Sequence, residues 1–199
     1  MSRMPVAERR AALIAAAERV IVQSGVGEAS VRRIVAEAGM SLASFHYAFE
    51  SREALFEELI GGVVAGEQEA LLAEFVVGDG DLRATVDAGF ARYLEHLRGK
   101  PERELAMLEL TWYALRTPEH ADLARRQYAR YTALAAALLE RTAAGLGVRW
   151  AEPAEQIAKL LVVFTDGITV GWLVHRDDEA AAFAARAAAD TISRMAEPR

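Results

Sequence analysis

Few residues in this chain are of a type and spacing that could do chemistry. The four histidines, His46, His96, His120 and His175, are scattered and form no His-Glu-x-x-His pair. Cysteine is absent, which excludes a thiolate zinc site, a cysteine nucleophile and a disulfide scaffold. No Gly-x-Ser-x-Gly elbow, phosphate-cradling loop or dinucleotide fingerprint occurs, and Asp79-Gly80-Asp81 lacks the remaining spacing of a calcium loop. Glu102 and Glu104 fall at a predicted helix start, where carboxylates complement the macrodipole. No catalytic residue, no metal and no cofactor are expected. The informative stretch is Val31–Phe49, which interleaves Arg32, Arg33, Ser41, Ser44, His46 and Tyr47 with apolar residues.

Ile34 and Ala38 lie four residues apart, on one face of a first short helix. Gly39 supplies the positive φ of a sharp turn, Met40 is expected buried in that turn, and Phe45 and Phe49 hold a second helix against the first. The pattern is a helix-turn-helix. Its second helix offers solvent a small, polar N-terminal end of Ser41, Ala43 and Ser44. Small side chains let the backbone approach a major groove, and a helix N-terminus favours phosphate.

The elements that must position this segment are nearly all helical, because apolar residues recur at three- and four-residue spacing and no strand alternation is sustained. Helices are predicted from Val6 to Ser24, Val31 to Ala38, Ser41 to about Ala48 and Arg52 to about Phe75, with a turn at Gly78–Asp81. Others run from Leu82 to Leu97, from Pro101 onward, from Thr117 to about Ala144, from Pro153 to about His175, and from Asp177 or Asp178 to about Ala196. The fold class is all-α with about nine helices. Residues 1–50 are expected to form a helix-turn-helix domain, and residues 51–199 a larger helical domain joined by the helix from about 51.

The chain has 199 residues, 53% hydrophobic and 26% charged, with a net charge of −6, enough to bury a sizeable core. Residues 1–55 hold seven Arg against six Glu, a net +1, which leaves −7 on the rest. A near-neutral N-terminal quarter on an acidic body is compatible with binding DNA, because the local field decides. The apolar run Leu160–Val174 carries Asp166 and falls short of the roughly 18 residues a spanning helix needs, so a soluble, cytoplasmic protein with no membrane partner is expected.

Residues 9–60 resemble the DNA-binding domain of the TetR family of transcriptional regulators. The matching marks are the long first helix ending in Gly25, then Ser30-Val31-Arg32-Arg33-Ile34, Ala38-Gly39-Met40-Ser41, Phe45-His46-Tyr47-Ala48-Phe49 and Ser51-Arg52-Glu53-Ala54-Leu55. The resemblance implies that Ser30 lies near the DNA backbone and that Ser41, Leu42, Ala43 and Ser44 begin the recognition helix. It further implies that His46 and Tyr47 touch phosphates or thymine methyls, that Arg52 aims at phosphate, and that Arg32 or Arg33 lies close to DNA. Val35, Leu42 and Ala48 depart from the usual pattern. The loss of polar groups at 42 and 48 shifts base readout toward apolar contact with thymine methyls.

The remainder matches the family in length and layout, which implies an apolar effector cavity. Phe90, Tyr93, Met107, Thr111, Trp112, Tyr113, Tyr131, Phe164 and Thr165 are the expected ligand residues, each with packing in the core as the alternative. A small apolar effector is implied. The helix from about 153 to 175 is apolar on two faces, one marked by Ile157, Leu161, Phe164, Ile168 and Trp172, the other by Leu160, Val163, Gly167, Val170 and Val174. A helix apolar on both sides must be covered on both. A homodimer is expected, with Leu161, Ile168, Trp172, Ala184, Ala187, Ala188 and Thr191 at the interface.

These expectations add up to a ligand-responsive repressor that binds a pseudo-palindromic double-stranded DNA operator as a dimer. The alternatives are a small-molecule carrier or enzyme using the helical cavity, or an adaptor whose helix-turn-helix meets protein.

Overall fold

The computed structural model describes residues 4–62 and 81–198, which contain nine α-helices. They are α1 (Val6–Ser24), α2 (Val31–Glu37), α3 (Leu42–Ala48), α4 (52–62), α5 (Leu82–Gly99), α6 (Pro101–Arg116), α7 (Ala121–Leu146), α8 (Ala154–His175) and α9 (Asp178–Ser193). Single 3₁₀ turns sit at Val26–Glu28 and Pro118–His120. The expected course from 63 to about 75 and the turn at 78–80 lie outside the described residues. Two short strands, β1 (Val148–Trp150) and β2 (Ala196–Pro198), pair antiparallel, where no strand was expected. Three-residue strands are too short to show alternation, and α9 ends at Ser193 in a turn that leads into β2 rather than running to about Ala196.

The chain forms two compact units. The first comprises residues 1–67 and 102–127, the second 68–101 and 128–199. Residues 51–62 and 102–127 group with the N-terminal helices.

In the first unit α1 buries Leu13, Ala16, Ala17, Val20 and Ile21, the stripe its period sets out, and α1, α2 and α3 pack on one another. Ser30 caps α2 by accepting from Arg33 N at 3.3 Å. The helix then ends at Gly39 (φ +63°), where Gly39 N donates to Ala36 O at 3.1 Å and Met40 N to Val35 O at 2.8 Å. This paired bonding beyond a left-handed glycine satisfies the last carbonyls and reverses the chain. Phe45 and Phe49 are buried as expected, with ring centroids 5.8 Å apart, whereas Met40 is half-buried.

The second unit holds two core clusters. One joins Phe90, Leu94 and Leu97 of α5, Ile168 and Trp172 of α8, and Ala181, Ala185, Ala188 and Ala189 of α9. The other joins Ala135 and Leu139 of α7, Ile157 and Ala158 of α8, and Ile192 of α9. Alanines at 181, 185, 188 and 189 let α9 lie close to its neighbours. α8 ends on Arg176, which takes the left-handed conformation (φ 53°) and lays its guanidinium 4.5 Å over the Trp172 ring. With 22 residues α8 is long and apolar enough to cross a membrane by length and composition alone, longer than the apolar run suggested.

Candidate nucleic-acid interface

The site begins with α3, whose N-terminal hydroxyls are committed to the helix itself. Ser41 Oγ accepts from Ser44 N at 3.2 Å and lies 3.0 Å from Ser44 Oγ. That cap fixes the first turn and is ordinarily worth about 1 kcal/mol. Leu42, Ala43, His46 and Tyr47 are exposed, while Phe45 and Ala48 on the opposite face are buried. A seven-residue helix thus presents a continuous outer face of small, apolar and aromatic groups.

The arginines around it divide into structural ties and free cations. Arg10 bonds to the Ala48 carbonyl and the Glu58 carboxylate, and its guanidinium sits 4.3 Å over the Phe49 ring. This pins the end of α3 and the body of α4 to α1. Arg19 pairs with Glu37 at 2.6 Å, tying α1 to the end of α2. Arg33 is engaged by Glu28 at 2.9 Å and Ser24 Oγ at 2.7 Å. Arg32, one position earlier, is exposed and has no ion pair among the described residues. Arg9 was not singled out from the sequence. It lies over the exposed Tyr47 ring at 5.1 Å, and its signal was position alone, on the helix that faces α3.

Arg52 occupies a different environment from the one its place in the motif implies. Its Nε donates to Glu53 Oε1 at 3.2 Å and an Nη donates to the Tyr113 hydroxyl. The guanidinium lies 5.2 Å over Phe56 and 5.0 Å over Tyr113. The Tyr113 hydroxyl donates onward to Glu53 Oε1 at 3.1 Å, and its ring stacks on His120 at 5.6 Å. Burial pushes the Glu53 carboxyl up, but bonds from its own backbone N–H, Arg52 and Tyr113 outweigh it and hold the group below its ordinary range. The Tyr113 phenol is pushed up, chiefly by burial.

α6 meets the N-terminal helices of its unit at three levels. Arg103 pairs with Glu18 of α1 at 2.9 Å, Glu109 Oε2 accepts from Val26 N at 2.8 Å, and Tyr113 meets Arg52 and Glu53 of α4. Gly25 takes a positive φ of +83°, so glycine is required there by conformation.

The expected ligand residues are divided between the two units. Met107, Thr111, Trp112 and Tyr113 belong to the first. Met107 and Thr111 are buried, and the Thr111 hydroxyl is shared between Met107 O at 3.1 Å and the buried Gln127 Oε1 at 3.0 Å. Trp112 is 59% exposed, and Tyr113 is spent on Arg52 and Glu53. Phe90, Tyr93, Tyr131, Phe164 and Thr165 belong to the second. Phe90 is core, and Phe164 packs against both clusters. Tyr93 bonds to Thr169 Oγ1 and reaches Thr165 O at 3.5 Å. Tyr131 sits edge-on to Tyr128, whose hydroxyl donates to Asp166 Oδ2 at 2.8 Å. Burial and that carboxylate push the Tyr128 phenol up. The Tyr128–Asp166 pair was missed as a polar anchor, although Asp166 was visible as the acid in an apolar run.

The expected interface residues on α8 and α9 differ in burial within the single chain. Ile168, Trp172 and Ala188 are buried inside their own unit, and Leu161 packs against the same core. The outward face is the other apolar stripe, with Val163 63% and Val174 68% exposed, together with Gly167 and Val170. On α9, Phe183, Ala184, Ala187 and Thr191 are exposed. Sequence periodicity marks two stripes without saying which one turns inward.

Comparison with known proteins gives one family for both parts of the chain. Residues 13–59 match the model described as bacterial regulatory proteins, tetR family, and residues 82–197 match BetI-type transcriptional repressor, C-terminal. The HTH-type nicotine-responsive transcriptional repressor HdnoR of Paenarthrobacter nicotinovorans is 31% identical over 180 residues, spanning 88% of this chain and 89% of that protein. A TetR-family transcriptional regulator from Rhodococcus sp. superposes with a TM-score of 0.77 at 22% identity, over 94% of this chain and 99% of its own. One from Mesorhizobium loti gives 0.75 at 15% identity, over 98% and 99%.

Proposed function

The chain belongs to the TetR family of DNA-binding transcriptional repressors, and from that premise we propose how its surfaces carry out repression. A homodimer lays one α3 from each subunit into the major groove of a pseudo-palindromic operator. Leu42, Ala43 and Ser44 face base edges, where apolar contact favours thymine methyls. Arg32, Arg9, His46, Tyr47 and the α2 start at Ser30 face the phosphates. The observation that carries this reading is the Ser41-capped α3, whose Leu42, Ala43, His46 and Tyr47 are exposed and whose Tyr47 ring lies 5.1 Å beneath the Arg9 guanidinium. Such a regulator acts in the cytoplasm and is not an enzyme.

The second subunit covers Val163, Gly167, Val170 and Val174 of α8 with Phe183, Ala184, Ala187 and Thr191 of α9. Supporting this reading, these residues form an apolar and small-residue surface on consecutive helices, the composition a symmetric helical interface needs. The effector is a small organic molecule, by analogy with the nicotine-responsive relative. Tyr93, Tyr131, Phe164 and Thr165 of the second unit supply its apolar walls, and Tyr128 with Asp166 its polar anchor. Binding releases DNA only if the effector prefers the conformer with the wrong head geometry, a coupling typically of about 1–3 kcal/mol.

The test is a fluorescence-anisotropy titration with DNA from upstream of the coding region against a scrambled duplex, at two salt concentrations. Tight, salt-sensitive preference for the upstream fragment is expected. No binding to either duplex at low salt would overturn the reading.

A further inference from the structure

The arginine that opens α4 is engaged from within. Arg52 opens α4 immediately after Ser51, whose Oγ accepts from Ala54 N at 3.0 Å. A cation at the positive end of a helix is disfavoured by the macrodipole, so its position requires compensation. Glu53 supplies the opposite charge, the Tyr113 hydroxyl accepts a further hydrogen bond, and the Phe56 and Tyr113 rings supply two π faces. The guanidinium side chain is left only 23% exposed. A phosphate that recruited Arg52 would have to break these contacts while approaching the Glu53 carboxylate, which repels it.

The enclosure is anchored on α6. Tyr113 is held edge-on by Phe56 at 6.1 Å and flat by His120 at 5.6 Å, and His120 Nε2 lies 3.6 Å from Glu53 Oε1. Charge-assisted hydrogen bonds weaken steeply with distance and angle. A small displacement of α6 would therefore detach Tyr113 from Arg52 and Glu53 and leave the guanidinium held only by the Glu53 pair and the Phe56 ring of its own helix.

We propose that Tyr113, with Glu53, is a positioning residue that withholds Arg52 from the operator phosphates, so that the placement of α6 sets how many phosphates the head engages. This inference rests on the DNA-binding reading above and adds to it an internal restraint on affinity. In the conformer described, Arg52 contributes nothing to phosphate binding; freed, it adds one contact.

The salt dependence of binding to a random-sequence duplex reads this directly, since each added phosphate contact steepens the slope of log K against log salt by roughly 0.9. Tyr113→Phe removes the hydroxyl and keeps the ring. It is expected to steepen the slope by about one and to tighten binding about five- to tenfold near 0.1 M salt. Arg52→Ala is expected to leave both within about twofold of the wild type and, combined with Tyr113→Phe, to erase the gain. Glu53→Ala removes the acceptor on the other side and is expected to steepen the slope where Tyr113→Phe folds poorly, a change that Arg52→Ala combined with it erases. A purely structural role for Tyr113 would lower the melting temperature and leave the slope unchanged, which overturns the proposal. So does a slope reduced by about one in Arg52→Ala alone, because Arg52 would then already contact phosphate. Absence of any wild-type binding to DNA would instead sink the DNA-binding reading, and the two failures are thereby told apart.

Discussion

The outer face of α2 and α3 and the outer face of α8 and α9 both meet solvent, yet they are assembled from opposite materials. On α3 the exposed groups are Leu42, Ala43, His46 and Tyr47, the serines satisfy their own helix, and neighbouring arginines are mostly consumed as ties between helices. On α8 and α9 an exposed stripe of Val163, Gly167, Val170, Val174, Phe183, Ala184 and Ala187 runs between exposed charged residues such as Lys159, Arg186 and Asp190. The first surface keeps a fixed shape with few free charges, suited to a partner that is itself a rigid array of phosphates and base edges. The second gains chiefly by leaving water and is suited to a copy of itself. Conformational precision is therefore concentrated in a seven-residue helix, and apolar area on a helix three times as long.

That contrast breaks most visibly at neighbouring positions of α8. Ile168→Glu places a carboxylate among Phe90, Trp172 and Ala185 and is expected to cost about 3–5 kcal/mol or more, with loss of the cooperative melt. Val163→Glu and Val170→Glu, on the outer stripe, are expected to keep wild-type helicity while sedimenting as monomers. Sedimentation velocity and circular dichroism on the three variants decide it. A dimer that survives both valine substitutions would move the interface off this face.

The head responds through its cap. Ser41→Ala removes the acceptor for Ser44 N and is expected to lower stability by about 1 kcal/mol. Operator affinity should fall further than affinity for random DNA, because the first turn of α3 carries the base-facing groups. Equal losses on both duplexes would assign Ser41 to the fold alone.

A smaller effect separates two adjacent arginines. Arg32→Ala is expected to reduce the salt slope by about one on any duplex. Arg33→Ala, which loses its contacts to Glu28 and Ser24, is expected to change thermal stability slightly and leave the slope alone. If the two variants exchange behaviours, the division between ties and free cations in this head is wrong.

The head was legible in the sequence because its determinants are local. Ser30 and Ser41 cap, Gly39 turns, and Phe45 and Phe49 pack within twenty residues of chain. What escaped is long-range. Nothing near Arg52 announces Tyr113, sixty-one residues on, and a tyrosine beside a tryptophan on an apolar helix reads as a cavity wall. The inward stripe of α8 was likewise illegible, because both stripes are aliphatic and only contact with α5 and the alanines of α9 selects Ile168 and Trp172. The strand pair at 148–150 and 196–198 arises from pairing across the unit and has no local signature.

The smallest predicted effect tests how the second unit fastens its core. Asp178 Oδ1 accepts from the Trp172 indole N–H at 2.7 Å and from Arg98 Nε at 2.8 Å, so one surface carboxylate ties α9 to α8 and α5. The Trp172 bond and then the Arg98 pair lower its pKa from 3.8. A carboxyl whose folded pKa lies below its unfolded one stabilises the fold above the unfolded value and loses that contribution as pH falls through the folded value. The melting temperature of the wild type should therefore exceed that of Asp178→Asn near neutral pH. The gap should close as pH drops below about 3.8, because protonation makes the two side chains nearly equivalent. Added salt should shrink the gap at neutral pH only in part, since the exposed Arg98 pair is screened while the bond from the buried indole is not. A gap independent of pH would mean that the carboxylate's charge contributes nothing and that Trp172 alone fixes this corner of the core.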